Sequence, residues 1–233
     1  MKTLITILCW FIPIKKLRKQ LKLKYVKGKP IKYFNGNTVI LHTESGKIIK
    51  NPYMIHGLDI HFQGKNSVVE LFEPTNFFNS EFNIMDNCKF VIQKHRFIGM
   101  RVDTYNNCSV VIGENADIGK VHVHMSNESG TSLIIGKNVL LSYDIEIYTT
   151  DTHPVLDMQG KVINNKKASV VLENHVWVCA SAVLLKNAYI SSDSIVGHSS
   201  VVSGKFSEKN VVIAGNPAQI VKRNINWRGG KIG

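Results

Sequence analysis

The sequence lacks paired cysteines, acid near its N-terminus, and any long apolar run. Its four cysteines, Cys9, Cys88, Cys108 and Cys179, form no CxxC step. That excludes a zinc knuckle and a thioredoxin-type redox site. Spread as they are, they read as free thiols of a reducing compartment. No acid precedes Glu44. The apolar run at the start, Leu4 to Ile14, is about half the ~20 residues a membrane-spanning helix needs. No small-residue cleavage site follows it. Pro13 and lysines stand there instead, which argues against a secretory leader.

What is present begins with charge. The formal net charge is +12, from 29 basic and 17 acidic residues. Ten of the basic residues lie at or before Lys32, so the rest of the chain carries 19 basic against 17 acidic residues. A nucleic-acid reader carries its charge on the folded body, so nucleic acid is not an expected partner. Residues 1–32 form a separate apolar and basic segment, expected to be helical. It reads either as a membrane-proximal anchor, with residues 1–24 at the inner membrane face, or as a cap on the main domain. An anchor would sink its apolar plug among acyl chains and present lysines to anionic headgroups, at about 1 kcal/mol per basic residue.

The body is a repeat. From Leu172 the chain reads "LENHVW VCASAV LLKNAY ISSDSI VGHSSV V". Each six-residue unit opens with an aliphatic residue: Leu172, Val178, Leu184, Ile190, Val196, Val202. The fifth position is small or β-branched: Val176, Ala182, Ala188, Ser194, Ser200. The same spacing appears from Ile112 and from Ile135 through Leu141 and Ile147. A period of six is neither helical nor a two-residue alternation. It marks a parallel β-helix, with three short strands and three bends per coil. Looser repeats precede it. "NSVVELF", "CKFVIQK", "CSVVIGE" and "TSLIIGK" centre on Val69, Val91, Val111 and Ile134. They extend the β-helix back to about residue 55. Asparagines in "MDNC" and "YNNC" suit the bends, because Asn tolerates left-handed backbone. The expected division is a segment 1–32, lead-in strands 33–54, a β-helix 55–223 with a protruding loop 148–170, and a tail 224–233.

Stacking accounts for the aliphatics, the small residues and the asparagines. It does not account for the polar break between Ile147 and Val171, which contains "EIYTTDTHPVLD". Long loops on rigid scaffolds are where function concentrates.

Four pieces in order, "IYTTDTHP", "ENHVWV", "SIVGHSSVV" and "VVIAGNPAQIVKR", resemble the hexapeptide-repeat acyltransferases of the left-handed β-helix type. The similarity is greatest to maltose/galactoside and to sialic-acid and capsule O-acetyltransferases, and covers about Ile112 to Arg223. The resemblance implies the left hand of the coil, a homotrimer with sites between subunits, and acetyl-CoA as co-substrate. It implies a cytoplasmic enzyme that acetylates a carbohydrate hydroxyl, of a sialic acid or another surface-polysaccharide sugar. His153 falls at the family's catalytic base. A sugar hydroxyl is a poor nucleophile until its proton is removed, and a positioned imidazole suits that task. Pro154 biases His153 to extended backbone. Asp151 and Asp157 are both candidates for orienting its ring.

Trp177, 24 residues after His153, falls at the family's tryptophan near the reactive end of the cofactor; packing at a subunit seam is the structural alternative. Cys179, Ala180, Ser181, His198 and Ser203 match the pantetheine walls, and Lys205 is a further cofactor-binding candidate, displaced by one position from the family's Lys. Lys222 and Arg223 match the phosphate-contacting end, where a solvated tail is the alternative. Cys179 and His198 depart from the family's usual Gly and Ala and narrow the groove. On the acceptor side His122, His124 and Tyr148 are the expected contacts, and a family acid falls near Glu128 or Ser129. "HVH" is also a legitimate metal spacing, but no H-x4-H pair completes a hydratase site, so no metal is expected. The rival readings are N-acetylation of an amino-sugar nucleotide, a zinc β-helix hydratase, and a non-catalytic glycan-binding β-helix.

Overall fold

The computed structural model describes residues 29–164 and 168–229. Most of the expected N-terminal helical segment, residues 1–28, lies outside the described residues. Among the described residues there is no helix, and none long and apolar enough to cross a membrane. All regular structure is strand. The chain opens with β1 (Thr38–His42), β2 (Ile48–Lys50) and β3 (Leu58–Phe62). Three two-strand coils follow: β4 (Val68–Phe72) and β5 (Ser80–Ile84), β6 (Lys89–Ile92) and β7 (Phe97–Thr104), then β8 (Ser109–Ile112) and β9 (Asp117–Met125). The later coils hold three strands each. These are β10 (Ser132–Ile135), β11 (Leu140–Leu141) and β12 (Ile145–Tyr148), then β13 (Ser169–Leu172), β14 (Trp177–Val178) and β15 (Val183–Leu184). The last coils contain β16 (Tyr189–Ile190), β17 (Ile195–Val196) and β18 (Val201–Val202), then β19 (Lys205–Phe206), β20 (Val212–Gly215) and β21 (Ala218–Lys222).

Pairing between coils is parallel, which makes the body a β-helix with three faces. The first face stacks β1, β4, β6, β8, β10, β13, β16 and β19. The second stacks β11, β14, β17 and β20, and the third stacks β3, β5, β7, β9, β12, β15 and β18. The long strands β7 and β9 serve two faces at once. Asp117 and Ile118 pair with β11, whereas Val121–His124 pair with β12. Between them the chain bends at Gly119, where a Cβ would lie 2.3 Å from the Ser142 carbonyl oxygen. Parallel stacking already includes β1, so the strands ahead of residue 55 stand in the first coil. Antiparallel β2 and β21 cover the two sheet ends, which blunts edges that would otherwise template aggregation.

The core is a set of columns. Leu41, Leu71, Ile92, Ile112, Ile135, Leu172, Ile190 and Phe206 are register partners in succession. All six unit-opening aliphatics from Leu172 to Val202 are fully buried, and so are the five fifth-position residues. Each buried Val, Leu or Ile contributes about 1.5–3 kcal/mol of transfer free energy. The fifth positions are small because the chain turns there against the prism interior.

One expectation about register needs correcting. Val111 and Ile134 are 39% and 41% exposed, and they stack with Glu70 and Val91 on the outside of the first face. The inward residues are Val69, Phe90, Val110 and Leu133. Val69 therefore belongs to a different column from Val91, Val111 and Ile134. Side chains alternate sides along a strand, so the centre of an apolar triple can point outward while its flanks fill the core.

The bends carry left-handed backbone in stacks. Asn115, Asn138, His175, Asp193 and Asn210 all have φ between 54° and 65°. Asn127, Thr152 and Asn187 form a second corner, and Asp144, Ser181 and Ser199 a third. Asn and Asp tolerate this region because their short side chains bond locally. Asn87 donates to the Asn107 side chain at 3.3 Å, and Asn107 to the Ser129 hydroxyl at 2.8 Å. Cys88, Cys108 and Cys179 are free thiols, as the spacing predicts.

Candidate active site

The protruding loop leaves the corner after β12 and rejoins at β13. It is a small structure of its own. Leu156 bridges Val162 antiparallel, and the Asp157 carboxylate accepts from the backbone N–H of Gln159 and Lys161 at 3.0 and 2.9 Å. Asp157 thus builds the turn. Asp151 has a different task. Its Oδ2 accepts from Lys186 Nζ at 2.5 Å and from Asn164 Nδ2 at 3.0 Å. Burial pushes the Asp151 carboxyl up, but the bonds from Lys186 and Asn164 outweigh it and hold the group below the usual carboxylate range. Among the described residues neither acid bonds the His153 ring, so neither candidate orients it in this chain.

The backbone around His153 is held instead. Asn164 Nδ2 donates to the His153 carbonyl at 2.9 Å, and its Oδ1 accepts from Val155 N–H at 3.0 Å. Thr152 adopts φ 61°, and the His153 N–H turns back to the Asp151 carbonyl at 2.7 Å. His153 itself is exposed. It lines a shallow cavity of about 140 Å³ together with Glu128, Thr150, Thr152, Pro154 and Asn164.

Two members of this site were not singled out from the sequence, or only loosely. Lys186 sits in the unit "LLKNAY" and reads there as one more polar residue. In the fold it rises at the corner of Asn127, Thr152 and Asn187, one coil above the loop. Its side chain is 8% exposed, and its Nζ lies 3.6 Å from Glu128 Oε2 as well as 2.5 Å from Asp151. Glu128 keeps its other oxygen, Oε1, buried and without a hydrogen-bond partner among the described residues. Glu128 also lines the His153 cavity, which puts a carboxylate near the imidazole. The signal for Lys186 was its place one coil after the loop corner. It becomes visible only once the coils are in register.

The other expected residues divide between faces. Trp177 lies in β14 on the second face, and its indole N–H donates to the Ser142 hydroxyl at 3.3 Å. It is not among the residues lining the His153 cavity. Its ring lies 5.8 Å from Trp227, whose indole stacks on His175 at 4.3 Å. Cys179, Ala180 and Ser181 continue from Trp177 to the corner of left-handed Ser181. His198 and Ser199 lie directly above, with Ser199 N–H donating to the Ala180 carbonyl at 3.1 Å. Burial pushes the Cys179 thiol up, so it lacks the thiolate character of a nucleophile. Ser203 lies one corner further on, between β18 and β19, and Lys205 opens β19. Lys222 closes the last strand, and Arg223 follows it. Arg223 is spent on Glu208 at 3.0 Å, while Lys222 is exposed with no carboxylate partner among the described residues.

His122, His124 and Tyr148 do come together, on the outside of the third face. The two imidazoles are 3.8 Å apart, and Tyr148 stacks on His124 at 4.3 Å. Acids stand with them. Asp103 bonds His122 at 2.6 Å, and Glu146 bonds His124 at 2.6 Å. The sequence carried a signal for this patch in the alternating triplets "EFN", "RVD", "HVH" and "EIY". Their outer positions fall in register from β5 to β12.

No family model matches the chain. The chain is 32% identical over 165 residues to a polysialic acid O-acetyltransferase of Neisseria meningitidis, covering 64% of this chain and 75% of that one. The crystal structure of the polysialic acid O-acetyltransferase OatWY superposes with a TM-score of 0.65 at 25% identity, over 86% of this chain and 93% of that one. The polySia specific acetyltransferase NeuO shares the fold, with a TM-score of 0.70 at 22% identity over 85% and 88% of the two chains. A six-residue β-helix broken by one loop bearing His-Pro, together with these relatives, places the chain: it belongs to the hexapeptide-repeat O-acetyltransferases.

Proposed function

We propose that this chain transfers an acetyl group from acetyl-CoA to a hydroxyl of a surface polysaccharide, with a sialic acid as the favoured acceptor sugar. The observation that carries this reading is the cavity at the protruding loop, where His153 stands with Glu128, Thr150, Thr152 and Asn164. A carbohydrate hydroxyl entering there finds one group to hold it and one to deprotonate it. The relatives named for polysialic acid support the acceptor class.

The chemistry then runs in one ternary complex. The His153 imidazole takes the hydroxyl proton as the oxygen attacks the thioester carbonyl. The tetrahedral intermediate collapses, the C–S bond breaks, and the departing thiolate takes the proton back from the imidazolium. General-base help of this kind is worth roughly 10²–10⁴-fold. No covalent relay through Cys179 is needed, and its raised thiol supports that. The cofactor lies along Cys179, Ala180, Ser181 and His198, with Ser203 and Lys205 at the following corner and Lys222 toward its phosphates. Trp177 provides a flat wall for the thioester end. Because Trp177 and His153 stand on different faces of one prism, a site using both takes them from two copies. A homotrimer of parallel prisms supplies that arrangement.

The test is thiol release from acetyl-CoA over a panel of sialosides, galactosides and amino-sugar nucleotides. His153→Ala should lose roughly 10²-fold or more while still binding CoA. Full activity in that variant refutes the assignment. Turnover with amino-sugar nucleotides alone would replace the hydroxyl acceptor by an amine.

A further inference from the structure

The outer surface of the third face, where the acceptor contacts are expected, concentrates titratable groups that the proton transfer at His153 does not use. His122 and His124 project from β9, and Glu146 projects from the adjacent β12. His122 and Glu146 are register partners, as are His124 and Tyr148. One donor atom from each of His122, His124 and Glu146 lies within 4.8 Å of the other two. His124 Nε2 is 2.6 Å from Glu146 Oε2, and His122 Nδ1 is 3.7 Å from the same oxygen. All three side chains are 22–40% exposed, so solvent reaches them.

Hydrogen bonding at His122 points to the same place. A neutral imidazole has one N–H and one lone pair. His122 directs Nε2 at the Asp103 carboxylate, 2.6 Å away, and a carboxylate can only accept. With a ring proton on Nε2 toward Asp103, Nδ1 is left as the free lone pair, and Glu146 Oε2 lies 3.7 Å from it. A cation seated between that nitrogen and that oxygen would be ligated by both. Asp103 is itself immobilised. Arg101 grips it through Nε and a terminal nitrogen at 2.9 and 3.1 Å, and Asn83 donates to it at 2.7 Å. A carboxylate that fixes the far nitrogen of an imidazole is the usual outer shell of a histidine metal ligand.

We infer that His122 Nδ1, His124 Nε2 and Glu146 form a site for a divalent transition cation of the zinc class. Two imidazoles and one carboxylate suit zinc, with bonds of about 2.0–2.2 Å and one position left open. A tetrahedral site with such bonds sets its ligand atoms about 3.4 Å apart. Side-chain rotation reaches that spacing. The His124–Glu146 contact opens by under about 1 Å and the His122–Glu146 contact closes slightly. The backbone is already rigid, because the ligands stand on two paired strands of a stacked sheet. On binding, the Nε2 proton of His124 leaves to solvent and the metal takes its place. The open position faces outward and takes an oxygen ligand such as water or a carboxylate. The site also lies at the root of the catalytic loop. Thr149 N–H donates to the His124 carbonyl at 3.1 Å, and His153 is only a few residues beyond. A bound cation would pin the strand from which that loop departs.

Zinc binding is read directly, so its failure and a failure of acetyl transfer are distinguishable. Tag-free full chain, stripped with chelator, is titrated with zinc chloride by calorimetry at pH 8 in a non-coordinating buffer. At that pH a second ring proton competes least. The expected result is one zinc per chain with a micromolar or tighter Kd, retained on dialysis. His122→Ala/His124→Ala should weaken it at least about 100-fold, and Asp103→Asn about 10–100-fold. Glu146→Gln keeps the shape of the side chain and should lose zinc without changing the melting temperature of the metal-free protein. Absence of stoichiometric binding overturns the site. So does stoichiometric binding that survives both the double variant and Glu146→Gln.

Discussion

Replacing Asn164 by alanine tests how the loop aims His153. One side chain makes three hydrogen bonds: to Asp151 Oδ2 at 3.0 Å, to the His153 carbonyl at 2.9 Å, and from Val155 N–H at 3.0 Å. Each is worth about 0.5–1.5 kcal/mol net, and a partly solvated loop sits at the low end. Three bonds then hold the observed loop conformation by about 1.5 kcal/mol, and 1.4 kcal/mol is tenfold in population. Asn164→Ala should therefore lower kcat about tenfold, and more if the released ring sits off line, since a misplacement of about 1 Å can cost 10²-fold. The KM for acetyl-CoA should stay within about twofold, because the groove residues lie on other corners. The melting temperature should hardly move, because the loop buries little of the core. Asn164→Asp keeps the acceptor for Val155 but loses both donors and faces Asp151, so it should be no better than alanine. The assay is thiol release under saturating acceptor, with melting followed by circular dichroism. Activity within twofold of wild type in Asn164→Ala would refute this account of His153 positioning.

Lys186→Met removes the cation between Glu128 and Asp151. Breaking a buried pair costs about 3–5 kcal/mol, and Asp151 is exposed enough to recover water, so a loss of about 2–3 kcal/mol in chemical denaturation is expected. Glu173 accepts from Tyr189 Oη and from the hydroxyls of Ser191 and Ser192 at 3.1 and 2.8 Å, plus Ser192 N–H at 2.9 Å. The Tyr189 hydroxyl foremost, then Ser192, brings its carboxyl down from 4.5 to about 2. A lowered folded value means stability that is present above pH 4.5 and lost as pH falls toward 2. Glu173→Gln should melt below wild type at pH 7, and the gap should close between those two values. Register on the first face is tested by two neighbours. Val110→Asp buries an unpaired charge in the core and should prevent folding, while Val111→Ser should stay within about 0.5 kcal/mol of wild type, as surface changes do.

The prism was legible in the sequence because its rules are local. A six-residue spacing of aliphatics, with a small residue before each turn, encodes a short strand and a tight bend whatever lies above or below. The asparagines at the bends were legible for the same reason, since left-handed backbone is a property of one residue and its neighbours. The loop and His153 stood out as the place where that pattern stops. The apolar triples of the earlier coils were harder. "VVELF" offers two inward settings, and only pairing with Phe90 and Ile92 selects Val69 and Leu71 for the core.

The sequence by itself determined the β-helix, its free thiols, and the loop that carries the candidate base. Only the tertiary structure decided what surrounds that base. Lys186 meets Asp151 from 35 residues away, and His124 meets Glu146 from 22. These distances in the chain vary because each coil inserts a different length at its corners. Contact between coils depends on vertical register, which is the sum of those insertions, and no single stretch of sequence contains it. A β-helix turns remote, unremarked polar residues into neighbours on one outer face, and its chemistry is assembled there.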